Sequence, residues 1–375
     1  MIVGVPREVK DNEYRVALTP EGARELSRAG HQVLIEKGAG EGSSLCEDRY
    51  ERAGAEIVPT ADDIWDAADM VLKVKEPIES EFDRMREGLI LFTYLHLAAS
   101  KELTGALIDR KVQAVAYETV QDEEGRLPLL APMSEVAGRM APHVGARLQE
   151  KEHGGRGVLL GGVSGVRPAR VLVLGAGMAG ANAAWIAAGM EAEVVVVDKN
   201  LDKLRFIDQV HKGRILTLMS DQLTLEQRVR ETDVLIGSVL VPGARAPKIV
   251  TTDMVESMRP GSVVIDIAID QGGCVETSRM TTHSDPTYVE HGVVHYCVGN
   301  MPGAVPNTST YALTNVTLPY ALEIAERGLE DAVREDPPLA KGVNVYGGQL
   351  TNTGVAEAHD IEPVHLSRLV DGVQD

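Results

Sequence analysis

Three glycines in the run Gly175-Ala176-Gly177-Met178-Ala179-Gly180 stand at a spacing that suits one task, holding a pyrophosphate. The first permits a tight turn, the second lets a phosphate approach the main chain, and the third lets a helix pack closely on a strand. The phosphates would sit at a helix N-terminus, where free N–H groups and the helix dipole favour negative charge. Asp198 follows at the end of the next apolar run. An acid there would accept hydrogen bonds from the adenosine ribose hydroxyls and repel a 2′-phosphate, which favours NAD over NADP.

Such a motif means little without its frame. The apolar run 171–174 before it reads as a buried parallel strand, the alanine-rich run 181–188 after it as a helix, and 194–197 as a second strand leading into Asp198. Further strands are expected at 215–218, 234–236, 263–267 and 294–298. Six strands in two halves is what a complete dinucleotide fold requires.

The chain before this region alternates in the same way. Strands are expected at 2–5, 32–36, 70–74, 89–94 and 112–117, with helical stretches between them such as 20–29, capped by Thr19 and opened by Pro20. Alternation of this kind implies a second parallel sheet, this one lacking the glycine motif. Residues 129–132 read as a loop, with Ser134 placed to cap a helix through Ala146 towards Lys151. The glycine-rich stretch 152–165 is expected to be irregular. A helix over 311–327, in spite of Pro319, would carry the chain back, and 342–353 would pack on the first sheet. The expected fold is α/β with two doubly wound domains. A Rossmann NAD-binding domain (129–306) is inserted into a discontinuous substrate-binding domain (1–128 and 307–375).

Ligands of open parallel sheets lie outside the carboxyl ends of the strands. In the first domain that rule selects Arg15, Lys75 and His96, each in the loop after an expected strand. Arg15 offers a planar fork for a carboxylate, Lys75 a point charge, and His96 a general acid or base. Asp270 follows the strand expected at 263–267 and could hold a water or a developing cation. Each has an ordinary reading: a solvated surface charge, a structural histidine, an aspartate capping the turn before Gly272-Gly273. Their common position relative to the sheets makes them candidates for an NAD-dependent redox reaction on a small carboxylate.

Composition narrows the partners. With 37 basic and 56 acidic residues in 375, the net charge of −19 argues against nucleic acid or an anionic membrane. Cys46, Cys274 and Cys297 lie far apart without metal-ligand spacing, which suggests reduced thiols in a cytoplasmic protein. No signal peptide and no apolar segment of bilayer length is apparent.

Several segments are similar to those of the alanine dehydrogenases and their transhydrogenase relatives. They include Gly4-Val5-Pro6-Arg7-Glu8, Asn12-Glu13-Tyr14-Arg15-Val16-Ala17-Leu18-Thr19-Pro20, Lys73-Val74-Lys75-Glu76-Pro77 and Thr93-Tyr94-Leu95-His96-Leu97-Ala98. Tyr117-Glu118-Thr119, Pro132-Met133-Ser134-Glu135-Val136-Ala137-Gly138 and Gly161-Gly162-Val163 continue the pattern. It ends with Asp266-Ile267-Ala268-Ile269-Asp270-Gln271-Gly272-Gly273, Asn300-Met301-Pro302-Gly303-Ala304-Val305-Pro306 and Asn344-Val345-Tyr346-Gly347-Gly348. The likeness spans essentially the whole chain.

That resemblance implies oxidation of L-alanine to pyruvate and ammonium with NAD, by a homohexamer. Arg15 and Lys75 would bind substrate, and His96 and Asp270 would form the catalytic pair, with either one as the proton shuttle. It also implies cofactor contacts at Ser134, Gly175, Gly177, Met178, Ala179, Gly180, Asp198, Lys203, Ser220, Val239 and Leu240. Others are Ile267, Ala268, Ile269, Asp270, Arg279, Val298, Gly299, Asn300 and Met301. Some family members bind magnesium through a glutamate and a histidine one helical turn apart. Here Glu323 is followed by Arg327, so no metal is expected. The alternatives are the NAD(H)-binding component of a proton-translocating transhydrogenase, a non-catalytic NAD sensor, and a relative handling a longer amino acid.

Overall fold

Short, apolar, β-branched runs set the strands of both sheets, and the computed structural model describes residues 1–239 and 246–373. They form two units, Met1–Met133 with Val305–Asp375, and Ser134–Ala304.

The first unit contains β1 (Ile2–Val5), β2 (Gln32–Glu36), β3 (Glu56–Val58), β4 (Met70–Leu72), β5 (Ile90–Thr93) and β6 (Gln113–Ala116). The second contains β7 (Arg170–Leu174), β8 (Glu193–Asp198), β9 (Leu216–Met219), β10 (Val234–Gly237), β11 (Val263–Asp266), β12 (Thr287–Glu290) and β13 (Val293–Tyr296). The chain then returns to the first unit with β14 (Val343–Tyr346) and β15 (Gln349–Leu350).

The parallel strands of the first sheet run β3-β2-β1-β4-β5-β6, so the winding reverses between β1 and β4. Val3 stands opposite Val33 on one side and Met70 on the other. The residues of β4 and β5 are all buried, as parallel strands covered on both faces must be. The return segment extends this sheet, with β14 antiparallel to β6 and β15 antiparallel to β14. Gly347 and Gly348, both at positive φ, make the turn between them.

The second sheet has the parallel order β9-β8-β7-β10-β11-β13, the two-halved dinucleotide arrangement, with β12 antiparallel on the edge. Strand β12 was not expected from sequence. Its two-residue hairpin, His291-Gly292, has positive φ at both positions, and histidine stands where asparagine or aspartate would advertise the turn. Strand β3 escaped for a different reason, its apolar run being only Ile57-Val58 between Glu56 and Pro59.

Two helices begin earlier than expected. The first spans Ala131–Leu148, so Ser134 lies within its first turn and does not cap it. Pro132 lies in the first turn of the helix instead of ending the loop, because a first-turn residue needs no N–H partner. The returning helix, Pro306–Arg327, likewise starts earlier than expected, on a proline. It is tied to the first unit through Thr310, whose hydroxyl accepts the Val16 N–H at 3.2 Å and meets the Ser43 hydroxyl at 2.8 Å. Residues 152–165 hold a single 3-10 turn and one isolated bridge, Val163 with Val166, as a glycine-rich stretch should. Among the described residues no helix is long and apolar enough to cross a membrane.

A charge sits at the heart of the first unit. Lys73, immediately after β4, has a side chain with no exposure at all. Its ammonium is 2.9 Å from Glu81 and 3.3 Å from Glu8. Burial works against the charge, but the two carboxylates outweigh it and keep the lysine pKa above its ordinary value. Replacing Lys73 by Met strands two buried carboxylates, which should cost roughly 3–5 kcal/mol. Urea denaturation checks this; a loss below about 1 kcal/mol would mean the pair is not structural.

Candidate active site

The loops after β1, β4, β5 and β6 share the carboxyl rim of the first sheet, and each carries a candidate or its support. Arg15, expected to present an open fork, is buried. Its Nε and Nη2 donate to the Glu13 carboxylate at 2.7 and 2.5 Å, and its Nη1 lies 3.1 Å from Met133 Sδ. Burial opposes the guanidinium charge, yet Glu13 more than offsets it, so the pKa is raised. Arg15 is therefore a fixed buried cation, and the surface-charge reading fails.

Lys75 is half-buried, and its main chain is held from below. Glu8 Oε1 accepts the N–H groups of Val74 and Lys75 at 2.6 and 3.4 Å. Being buried raises the Glu8 pKa, in spite of Lys73 beside it. His96 sits at φ 50, a left-handed conformation that a histidine adopts only when held there. The Glu118 carboxylate holds it, accepting the N–H of Leu95 at 3.1 Å and of His96 at 2.6 Å. Beneath the rim, Phe92, Tyr94 and Tyr117 pack edge-on, and the Tyr94 hydroxyl donates to the Leu129 carbonyl at 2.7 Å.

The imidazole has a partner of its own. His96 Nδ1 lies 3.4 Å from Glu76 Oε2, and Glu76 also pairs with Lys10. Burial would raise the Glu76 pKa, but His96, Lys75 and Lys10 together hold its carboxyl well below the usual range. Arg15, Lys75 and His96 are thus brought to one rim, each with a glutamate attached. Sequence reasoning missed Glu8, Glu13, Glu76 and Glu118. The available signal was an acid within two residues of Arg15 and Lys75; Glu118 carried none, because its tie to His96 spans two strands.

In the second unit the glycine run does what its spacing implies. Gly175 has φ 95, and a Cβ on Gly180 would overlap the Gly175 carbonyl oxygen. At Gly177 a Cβ would meet nothing within 4 Å, leaving the open approach a phosphate needs. The helix Met178–Gly189 begins there without a side-chain cap, so its first-turn N–H groups are available to an anion. Asp198, closing β8, accepts the N–H groups of Ala176 and Asn200 at 2.6 and 2.7 Å. A carboxylate has about four acceptor sites, so two remain for ribose hydroxyls. These features fit a dinucleotide.

The other candidates fall as follows. Asp270 is exposed on the 3-10 turn Ile267–Gln271 after β11, together with Ile267, Ala268 and the buried Ile269. Buried Asp266 supports that turn, accepting from Ala268 at 3.2 Å and from Cys274 and Val275 at 2.9 and 3.1 Å. The Asn300 N–H donates to Asp270 at 3.4 Å, which links this turn to Val298, Gly299, Asn300 and Met301 after β13. Ser220 donates its N–H to the Asp198 carbonyl at 3.0 Å, and Val239 follows β10. Lys203 is exposed on a helix, while Arg279 lies over the Tyr288 ring at 3.9 Å. Ser134 opens the second unit, where Gly138 packs so closely on Ala179 that a Cβ would overlap its carbonyl. Leu240 lies outside the described residues.

Known proteins resemble the chain throughout. Residues 4–137 match the family model described as alanine dehydrogenase/PNT, N-terminal domain, and residues 141–353 the C-terminal domain of the same family. An alanine dehydrogenase of Methanococcus maripaludis is 54% identical over 362 residues, covering 96% of this chain and 97% of that protein. A solved L-alanine dehydrogenase superposes with a TM-score of 0.93 at 49% identity, covering 96% of this chain and 99% of the other. A transhydrogenase structure from Sinorhizobium meliloti shares the fold, with a TM-score of 0.80 at 24% identity over 94% of this chain and 99% of its own.

Two of the glycines should separate in experiment. Gly180→Ala should lower the melting temperature by several degrees, whereas Gly177→Ala should leave it nearly unchanged and weaken nucleotide binding at least tenfold in a fluorescence titration. Equal effects on both quantities would contradict the division of roles. For Glu76 the sign of the pH effect is fixed by its depressed native pKa. Its ionised form favours the fold above the unfolded-state value near 4.3, and this contribution fades as pH falls towards the native value. The stability gap between the wild type and Glu76→Gln, measured by urea denaturation, should therefore be narrower at about pH 3.5 than at about pH 5.

Proposed function

The chain belongs to the alanine dehydrogenase/PNT family, and on that premise we propose that it catalyses the reversible, NAD-dependent oxidative deamination of L-alanine to pyruvate and ammonium. The supporting observation is the rim of the first sheet, where a buried guanidinium, a lysine and an imidazole come together. A protein that only bound nucleotides would need neither a carboxylate clamp nor a proton shuttle there.

A bound nicotinamide supplies the hydride acceptor for this chemistry. What falls to the chain is recognition and proton management. Arg15 and Lys75 bind the carboxylate and carbonyl region of the substrate. The substrate ammonium must lose a proton before Cα can be oxidised, and a water must then add to the iminium carbon. The carbinolamine formed collapses to pyruvate and ammonium once its hydroxyl proton is taken up. His96 and Asp270 carry these transfers, one moving protons and the other orienting water. Cofactor contacts are assigned to the glycine run, to Asp198, and to the turns after β11 and β13. Asp198 selects NAD by repelling a 2′-phosphate. A homohexamer, implied by the family likeness, in the cytoplasm, suggested by the scattered cysteines, completes the proposal.

NADH absorbance should fall rapidly with pyruvate plus ammonium and stay constant with 2-oxoglutarate or without ammonium. His96→Ala and Asp270→Asn should each lower kcat by roughly 10²–10⁴-fold, and Asp198→Ala should narrow the preference for NADH over NADPH. No turnover of any oxo acid, with hydride exchange between nucleotides once a membrane partner is added, would replace this reading by transhydrogenation.

A further inference from the structure

A histidine that shuttles protons presents one ring nitrogen to the substrate, and the group bound to the other nitrogen decides which one. In His96 the imidazole is partly exposed, but Nδ1 is buried. Glu76 Oε2 is buried as well, and among the described residues neither atom has a hydrogen-bond partner elsewhere. The two atoms lie 3.4 Å apart. Two buried polar atoms left unpaired would be costly, so they must satisfy one another.

Neither partner is free to move off. The second carboxylate oxygen of Glu76 is taken by the Lys10 ammonium. The main chain at Leu95 and His96 is pinned to Glu118, with His96 at φ 50, and the Tyr94 ring lies beside the imidazole at a centroid distance of 5.9 Å. A carboxylate accepts hydrogen bonds and donates none, so the ring nitrogen facing it must carry the hydrogen.

We propose that Glu76 is a positioning residue that holds His96 in its Nδ1–H tautomer and leaves Nε2 as the atom that takes and returns protons. The proposal rests on the reading of His96 as a proton-transfer residue. When Nε2 takes a proton, the imidazolium keeps its Nδ1–H directed at a carboxylate that stays ionised, and the positive charge forms beside a negative one already in place. Lys10 and Lys75 keep Glu76 ionised throughout. Glu76 touches no substrate and acts through the ring.

The test is ¹⁵N-histidine NMR on the full-length protein, with the His96 signals assigned by their loss in His96→Gln. At a pH where the ring is neutral, the wild type should show the two-bond ¹H–¹⁵N pattern of an Nδ1–H imidazole, and an Nε2–H pattern would overturn the proposal without recourse to any variant. Glu76→Gln should shift the pattern towards Nε2–H or a mixture of tautomers. It should also lower kcat on the order of 10–100-fold while changing the KM for pyruvate less than about threefold. Glu76→Asp should recover part of the loss. An unchanged tautomer in Glu76→Gln, with kcat within twofold of the wild type, overturns the assignment. The NMR result does not depend on which substrate is turned over, so failure of the alanine reading is distinguishable from failure of the Glu76–His96 pair.

Discussion

Carboxylates at the carboxyl rim of the first sheet, Glu8 and Glu13 buried and Glu76 and Glu118 half-buried, hold the rest of that unit's chemistry in place. Glu8 bridges Lys73 and the main chain of Lys75, Glu13 grips Arg15, Glu76 meets His96, and Glu118 holds the His96 backbone. Parallel strands end with unpaired N–H groups and leave loops that would otherwise be loose. A carboxylate that accepts two such N–H groups fixes a loop more firmly than apolar contact can, because the bond has direction as well as strength. The arrangement is stable only because cations are buried with the acids, Lys73 and Arg15 above all.

The second unit solves a different problem, approach. Its ligand must come against the main chain, so what matters is where side chains are missing. Gly177 leaves space open, Gly180 lets the helix Met178–Gly189 meet β7, and Gly138 lets the helix Ala131–Leu148 meet Ala179. Asp198 then does two tasks, ordering the loop through Ala176 and Asn200 and offering its remaining lone pairs outward. Asp266, buried under the turn that bears Asp270, repeats within this unit the carboxylate support seen in the first.

The two sheets share one strand order around their winding reversal, yet only one bears the glycine run. Fold alone therefore does not separate a nucleotide site from a substrate site; the loops after β1, β4 and β5 do, with charge where the other unit has glycine.

By itself the sequence determined the parallel strands of both sheets apart from β3, several of the helices, the nucleotide motif with its acid, and the candidate set Arg15, Lys75, His96 and Asp270. These are legible because period, turn residues and motif spacing are local properties. It did not disclose that Arg15 is buried in the grip of Glu13, that His291-Gly292 turns a hairpin, or that Glu8, Glu76 and Glu118 support the loops. Only tertiary structure decided those. Glu8 meets Val74 across 66 residues and Glu118 meets His96 across 22, because strand order and register place their loops side by side. A glutamate in a list of residues carries no mark of which N–H it will face; the sheet chooses the partner, and burial makes that partner obligatory.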